Sequence, residues 1–190
     1  KKQALFKPTD AIRGVYDAKF QYYLQKEVDT ITFEILDSNN TLIDSFGGNQ
    51  PKYEEKKSTS WWGRNATTKP TTAKGLNSFT WNLRYPGPTT FDGIIIWGAA
   101  ADRGPKAPLG DYTVRMKIGD EVVQTVPFKI TMDPNLKGIT AEDLQEQFQL
   151  ASKITQKATM ANEAVIQIRN IRKQLDSLGN TVSSKSFQKQ

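Results

Sequence analysis

Between residues 75 and 132 the chain alternates apolar and polar side chains in short runs separated by turn formers, and no other feature constrains its fold as strongly. A period of two puts successive side chains on opposite faces, as in a half-buried β-strand. Leu76-Asn77-Ser78-Phe79-Thr80-Trp81-Asn82-Leu83 places Phe79, Trp81 and Leu83 inward and Thr80 and Asn82 outward. Arg84-Tyr85-Pro86-Gly87-Pro88 ends that strand, because proline lacks a ladder donor and Pro/Gly pairs favour turns. Ile94-Ile95-Ile96-Trp97 reads as a short buried strand and residues 99–109 as a second loop. Tyr112, Val114, Met116 and Ile118 form one face of the next strand, and Gly119-Asp120 is a two-residue hairpin signal. Val126, Phe128, Ile130 and Met132 point inward from the returning strand, in which Pro127 marks a bulge or an edge.

Upstream, residues 18–24 form a strand whose Tyr22, Tyr23 and Leu24 supply β propensity. Residues 30–37 alternate again, with Ile31, Phe33 and Ile35 on one face. Asp37-Ser38-Asn39-Asn40 is a turn cluster, since Asn and Asp bond locally and tolerate left-handed backbone, and residues 41–46 return as the partner strand. Residues 1–17 show no clear period and read as an incoming linker that packs on the domain edge. Residues 47–74 form a long polar loop with a charged run at 52–57 and Trp61-Trp62 at its middle; loops of this length in a compact domain are uncommon and often functional.

After Asp133-Pro134-Asn135 the period changes. Thr140 reads as a helix N-cap with Asp143 three residues on, a weaker form of the capping box. Leu144, Phe148, Ala151, Ile154, Ala158, Ala161, Val165, Ile168, Ile171, Leu175 and Leu178 then follow three or four apart, the spacing of one amphipathic helix. Acidic residues at its start and basic residues near its end complement the helix dipole, and Gly179 reads as its C-cap. A helix of about 39 residues is roughly 58 Å long, more than a small β domain covers, so it is expected to overhang or to meet a second helix. Strands first and a helix last give the expected fold class: mainly β with α, an antiparallel β-sandwich followed by one long C-terminal α-helix. The domain plan is a linker at 1–17, the sandwich at 18–136 with its loop at 47–74, the helix at 137–179 and a flexible tail at 180–190.

Composition narrows the chemistry. The 190 residues contain neither cysteine nor histidine. Disulfides, thiol nucleophiles, Ser-His-Asp triads and Cys- or His-ligated metals are therefore excluded, leaving carboxylates, lysines, tyrosines and hydroxyls. A net charge of +6 permits anionic partners, but the positive residues are dispersed along the chain, which argues against nucleic acid. Hydrophobic content of 37% and a mean hydropathy of −0.58 suit long polar loops and a solvated helix. No apolar run approaches the roughly 18 residues of a membrane span, and the Lys1-Lys2-Gln3 start reads as a processed or cut end.

Several phrases carry a family likeness: Leu5-Phe6-Lys7-Pro8, Tyr22-Tyr23-Leu24, Phe33-Glu34-Ile35-Leu36-Asp37, Gly75-Leu76-Asn77-Ser78-Phe79-Thr80-Trp81-Asn82-Leu83-Arg84-Tyr85-Pro86, Pro108-Leu109-Gly110-Asp111-Tyr112-Thr113-Val114, Asp133-Pro134, and Asn162-Glu163-Ala164 with Gln167-Ile168-Arg169. In this order they resemble the C-terminal region of exported bacterial BNR-repeat, sialidase-like or sortilin-like glycosyl hydrolase family proteins. The resemblance implies an immunoglobulin- or fibronectin III-like sandwich with helices, following a β-propeller that carries the glycan or peptide site. It also implies an exported protein whose periplasmic, cell-surface or secreted location follows from the likeness alone. No Ser-x-Asp-x-Gly-x-x-Trp blade motif occurs here, so no catalytic residue carries over. The expected role is a non-catalytic accessory module, with the N-terminal propeller of a parent protein as its partner and no cofactor.

Candidate sites follow. Trp61 and Trp62 could stack on sugar rings, with Tyr53, Arg64 and Asn65 as polar partners, which makes a carbohydrate-binding module the alternative reading. Burial of the same indoles against the sandwich or propeller is the bland one. Asp92, Asp102 and Asp111 lie near loop ends and read as turn formers rather than a glycosidase pair, and no contiguous Asp/Asn/Gly loop suggests calcium. Asn65-Ala66-Thr67 and Asn39-Asn40-Thr41 match the glycosylation pattern as chance would. On the helix, Leu144, Phe148, Ile154, Val165, Ile168 and Leu175 are the expected interface, for core packing or for self-association.

Overall fold

A computed structural model describes residues 3–47, 70–95 and 103–187, with side chains in the last segment as far as 179. Among these residues the chain forms eight strands and one helix: β1 (Gln3–Leu5), β2 (Ala11–Ile12), β3 (Ala18–Leu24), β4 (Ile31–Leu36), β5 (Leu42–Gly47), β6 (Gly75–Trp81), β7 (Gly110–Ile118), β8 (Glu121–Thr131) and α1 (Ala141–Phe187). It divides into two compact units, one of Lys1–Pro86 and Pro105–Gln149, the other of Gly87–Gly104 and Leu150–Gln190. None of its described helices is long and apolar enough to cross a membrane.

All the strands belong to the first unit. One sheet is antiparallel with the order β1-β3-β6, and the other has the order β2-β8-β7-β4-β5. The second sheet is mixed rather than antiparallel throughout, because β2 runs parallel to β8. Burial follows the sequence period. In β3, Ala18, Phe20, Tyr22 and Leu24 are buried while Lys19, Gln21 and Tyr23 are exposed. Phe20 lies opposite Phe79 in the register, and their rings stack 5.6 Å apart. Side chains of the two sheets meet in one core. Tyr22 contacts Phe33 at 4.9 Å, Phe79 contacts Phe33 at 5.3 Å and Phe46 at 5.0 Å, and Phe20 meets Phe128 edge-on at 5.2 Å. Offset and edge-on aromatic pairs of this kind add about 0.5–1.5 kcal/mol each beyond area burial.

Local chemistry sets the turns. The Asp37 carboxylate accepts from the Asn39 and Thr41 amides at 2.9 and 2.8 Å, which fixes the β4–β5 hairpin with Asn40 at φ 61°. Gly119 has φ 57° at the first central position of the β7–β8 turn, as a II′ hairpin requires. Pro127 pairs with Thr113 of β7. β2 pairs with Ile130 and Thr131 on the other side, so among the described residues Pro127 faces no second strand and its missing N–H costs no ladder bond.

Three expectations differ. Residues 1–17 contribute β1 and β2 instead of a linker; the two strands are too short to show a period, and β1 is tied to β8 by the Gln124 side chain. Its Oε1 accepts from the Leu5 amide at 3.0 Å, and its Nε2 donates to the Leu5 carbonyl at 2.8 Å. Ile94 and Ile95 form no strand. The Ile94 amide donates to the Phe91 carbonyl across a turn where Gly93 has φ 78°. Residues 96–97 lie outside the described residues. Finally, α1 starts at the Thr140–Asp143 box but continues through Gly179 to Phe187. Gly179 does not take the positive φ of a C-cap, and without a following proline one glycine costs only about 1 kcal/mol in a helix.

Candidate functional site

The expected sugar platform, Trp61 and Trp62 with Tyr53, Arg64 and Asn65, lies outside the described residues, as does Asp102. Asp111 pairs with Lys129 across β7 and β8 at 3.3 Å. Asp92 lies in the second unit, where its backbone carbonyl accepts from Arg169 at 2.7 Å.

The expected helix interface separates into parts. Leu144 is buried in the first unit, and Phe148 sits 4.9 Å from the Tyr85 ring. In the second unit, the covered face of α1 runs through Ala151, Thr155, Ala158, Asn162 and Val165, and it is partly polar for a visible reason. The Thr89 amide donates to Thr159 Oγ1 at 3.2 Å, and Asn162 Nδ2 donates to the Thr89 carbonyl at 2.6 Å. Arg169 lies 4.5 Å over the Phe91 ring. Ile154, Ile168 and Leu175 are on another face and are 61%, 65% and 61% exposed. With Ala161 they recur every seven residues, and Leu150, Ala164, Ile171 and Leu178, with Lys157, form a second seven-residue series beside them, all exposed. That is the a/d pattern of a coiled-coil seam, and among the described residues no second helix lies on it.

A second constellation lies in the first unit, built by residues that the sequence pattern did not single out. Leu83 is fully buried with φ 58°, a left-handed conformation that costs a non-glycine residue about 1–3 kcal/mol. Two bonds hold it: the Ala107 amide donates to the Leu83 carbonyl at 2.7 Å, and Trp81 Nε1 donates to the next carbonyl, that of Arg84, at 3.0 Å. The Tyr85 amide donates to the Pro105 carbonyl at 2.9 Å. The resulting short ladder sets Arg84 directly opposite Lys106, a like-charge pairing that opposes the strand contact. Arg13, just past β2, adds a third cation. Its Nε donates to the Ala107 carbonyl at 2.8 Å, and its terminal nitrogen donates to Gln147 Oε1 at 2.7 Å.

Electrostatics reflect that crowding. Burial, then Arg84, then Arg13 pull the Lys106 ammonium below its ordinary range, against a pull upward from Asp17. Burial and then Arg84 lower Arg13. Asp17 is pushed up by burial and held back by Lys106 and Arg84. Beside them Tyr112, pushed up mainly by burial, donates its hydroxyl proton to the Pro108 carbonyl at 2.9 Å. Arg13, Arg84, Lys106 and Asp17 thus lie within electrostatic reach of one another. The arrangement can hold an anion, and it contains no base–nucleophile pair. No local sequence signal marks it, because 13–17, 84–85 and 105–107 meet only through tertiary pairing.

Comparison of the chain with models of known protein families, with curated proteins and with solved structures finds no match.

Proposed function

We propose that this chain is a non-catalytic accessory and interaction module of an exported, sialidase-like propeller protein. In this reading an immunoglobulin-like sandwich docks on or spaces the propeller, and α1 pairs with α1 of a second copy. The observation that carries the proposal is the exposed heptad face of α1. The immunoglobulin-like reading is supported by the strand order and by the Tyr112 hydroxyl on Pro108, which matches the tyrosine corner of such folds in placement and bonding.

The seam's own residues favour an antiparallel second copy as the occupant. In a parallel pair Lys157 would face Lys157, and the alanine layers would face each other and leave gaps. In an antiparallel pair centred near Ile166, Ala161 meets Ile171, Ala164 meets Ile168, Ile154 meets Leu178, and the Lys157 stem covers Leu175. Small residues then oppose large ones, and no like charges meet. Ala161→Cys and Ile171→Cys variants test this, since the chain has no cysteine of its own. Mixed under mild oxidation they should crosslink to each other, and neither should crosslink to itself. Self-crosslinking of each alone would mean a parallel pair, and no crosslinking in any combination would overturn the seam.

A further inference from the structure

We infer that the outer face of the β1-β3-β6 sheet is a platform for a short oligosaccharide of equatorially linked pyranoses, stacked on the rings of Phe6 and Tyr23. The Phe6 amide donates to the Gln21 carbonyl at 2.9 Å, which carries the β1–β3 ladder one residue past Leu5. Leu5 and Tyr22 are buried in the core, so their neighbours Phe6 and Tyr23 point out from the opposite side of the sheet. In the register Tyr23 lies opposite Ala4 on one side and Leu76 on the other. Phe6, Tyr23 and Leu76 therefore run diagonally across the three strands, and all three are exposed. Diagonal neighbours on one sheet face are about 7–8 Å apart, within reach of aromatic side chains. Polar groups continue the same face. Gln21 lies opposite Ser78 in the next row, and Lys19 opposite Thr80 in the row beyond; Lys19, Gln21 and Ser78 are exposed. A pyranose has an apolar C–H face and a rim of hydroxyls. It takes an aromatic ring beneath it and amide, hydroxyl or ammonium groups at its edge, and this lattice supplies both. The area is small for a protein partner. Three strands about 4.8 Å apart and about 24 Å long make a face of roughly 350 Å², against the about 800 Å² that each partner of a standard protein complex buries. Lysine and serine are also types that the cores of protein interfaces deplete. Rings standing on one pleated sheet face suit the flat ribbon of an equatorially linked chain better than a single sugar, which a concave pocket would enclose.

Titration calorimetry of the full chain with cellohexaose and with chitohexaose tests the platform. At least one of the two should bind, and Phe6→Leu and Tyr23→Leu should each weaken that binding about tenfold. Leucine keeps an apolar side chain and removes the ring, so the loss reports stacking. Both positions are exposed, so both variants should melt with the wild type. Tyr23→Phe keeps the ring and should bind as the wild type does. Binding of chitohexaose alone would mean that the polar rows read the N-acetyl group, and equal binding of cellohexaose would mean that they read ring hydroxyls. Absence of binding to both sugars, unchanged affinity in the two leucine variants, or a Tyr23→Phe variant as weak as Tyr23→Leu would overturn the assignment. So would binding that survives the leucine variants and disappears in a Trp61→Ala, Trp62→Ala double variant.

Discussion

Ile168→Asp separates a helix face that binds another chain from one that is merely exposed. Ile168 is 65% exposed, and fully burying an isoleucine side chain is worth about 1.5–3 kcal/mol. Covering the exposed two-thirds is therefore worth about 1–2 kcal/mol, and a two-fold dimer contains the residue twice. Removing it from both copies costs about 2–4 kcal/mol, a 30- to 700-fold rise in Kd at about 1.4 kcal/mol per tenfold, before any penalty for desolvating two carboxylates. The isolated chain should barely notice, because substitutions at such exposed sites usually stay within about 0.5 kcal/mol. Sedimentation velocity over a concentration series should show wild-type self-association and a shift of the variant toward monomer, with the same melting curve for both at low concentration. A wild type that stays monomeric throughout, or a variant that associates equally well, refutes the reasoning. So does a variant monomer that melts several degrees lower, because Ile168 would then pack within its own fold.

Tyr112→Phe should destabilise the chain by about 1 kcal/mol in urea unfolding, the net worth of one hydrogen bond, because only the hydroxyl on Pro108 is lost and the buried ring stays. No measurable loss would show that this corner does not hold β7. The Asp143 carboxylate accepts from both the amide and the hydroxyl of Thr140, which depresses its ionisation below the ordinary 3.8. Since the folded pKa is the lower one, the contribution of this cap is present above 3.8 and is lost as pH falls through the folded value. An NMR titration of Asp143 should have its midpoint below 3.8, and a midpoint at or above that value would remove the cap.

What the sequence disclosed depends on how far each signal reaches. The β4–β5 and β7–β8 hairpins and the Thr140–Asp143 cap are local: their turn chemistry and period lie within a dozen residues, and the strands follow. β1 and β2 hold only a few residues each, too few for a period, and their places depend on pairing with β3 and β8. The cationic cluster is more remote still. Arg13 reaches Ala107 across 94 positions, and Arg84 meets Lys106 only because buried Leu83 turns the backbone left-handed. Dispersed charge in a sequence is therefore a weak argument against concentrated charge in a fold.

The helix shows a different limit, one of ambiguity rather than range. Up to Ala151 the expected stripe and the covered face coincide. There the pattern forks, since Ile154 and Thr155 both satisfy a spacing of three or four. A rule that seeks apolar residues takes Ile154; the fold covers Thr155. The reason lies in what covers it. Thr89, flanked by Pro88, carries a backbone amide and carbonyl that no described strand satisfies, and they bond to Thr159 and Asn162. The hydrogen-bonding demand of a proline-bounded segment thus claims the polar face of α1. The isoleucines and leucines left outside cost solubility in a lone chain, while their seven-residue spacing matches what a second helix needs.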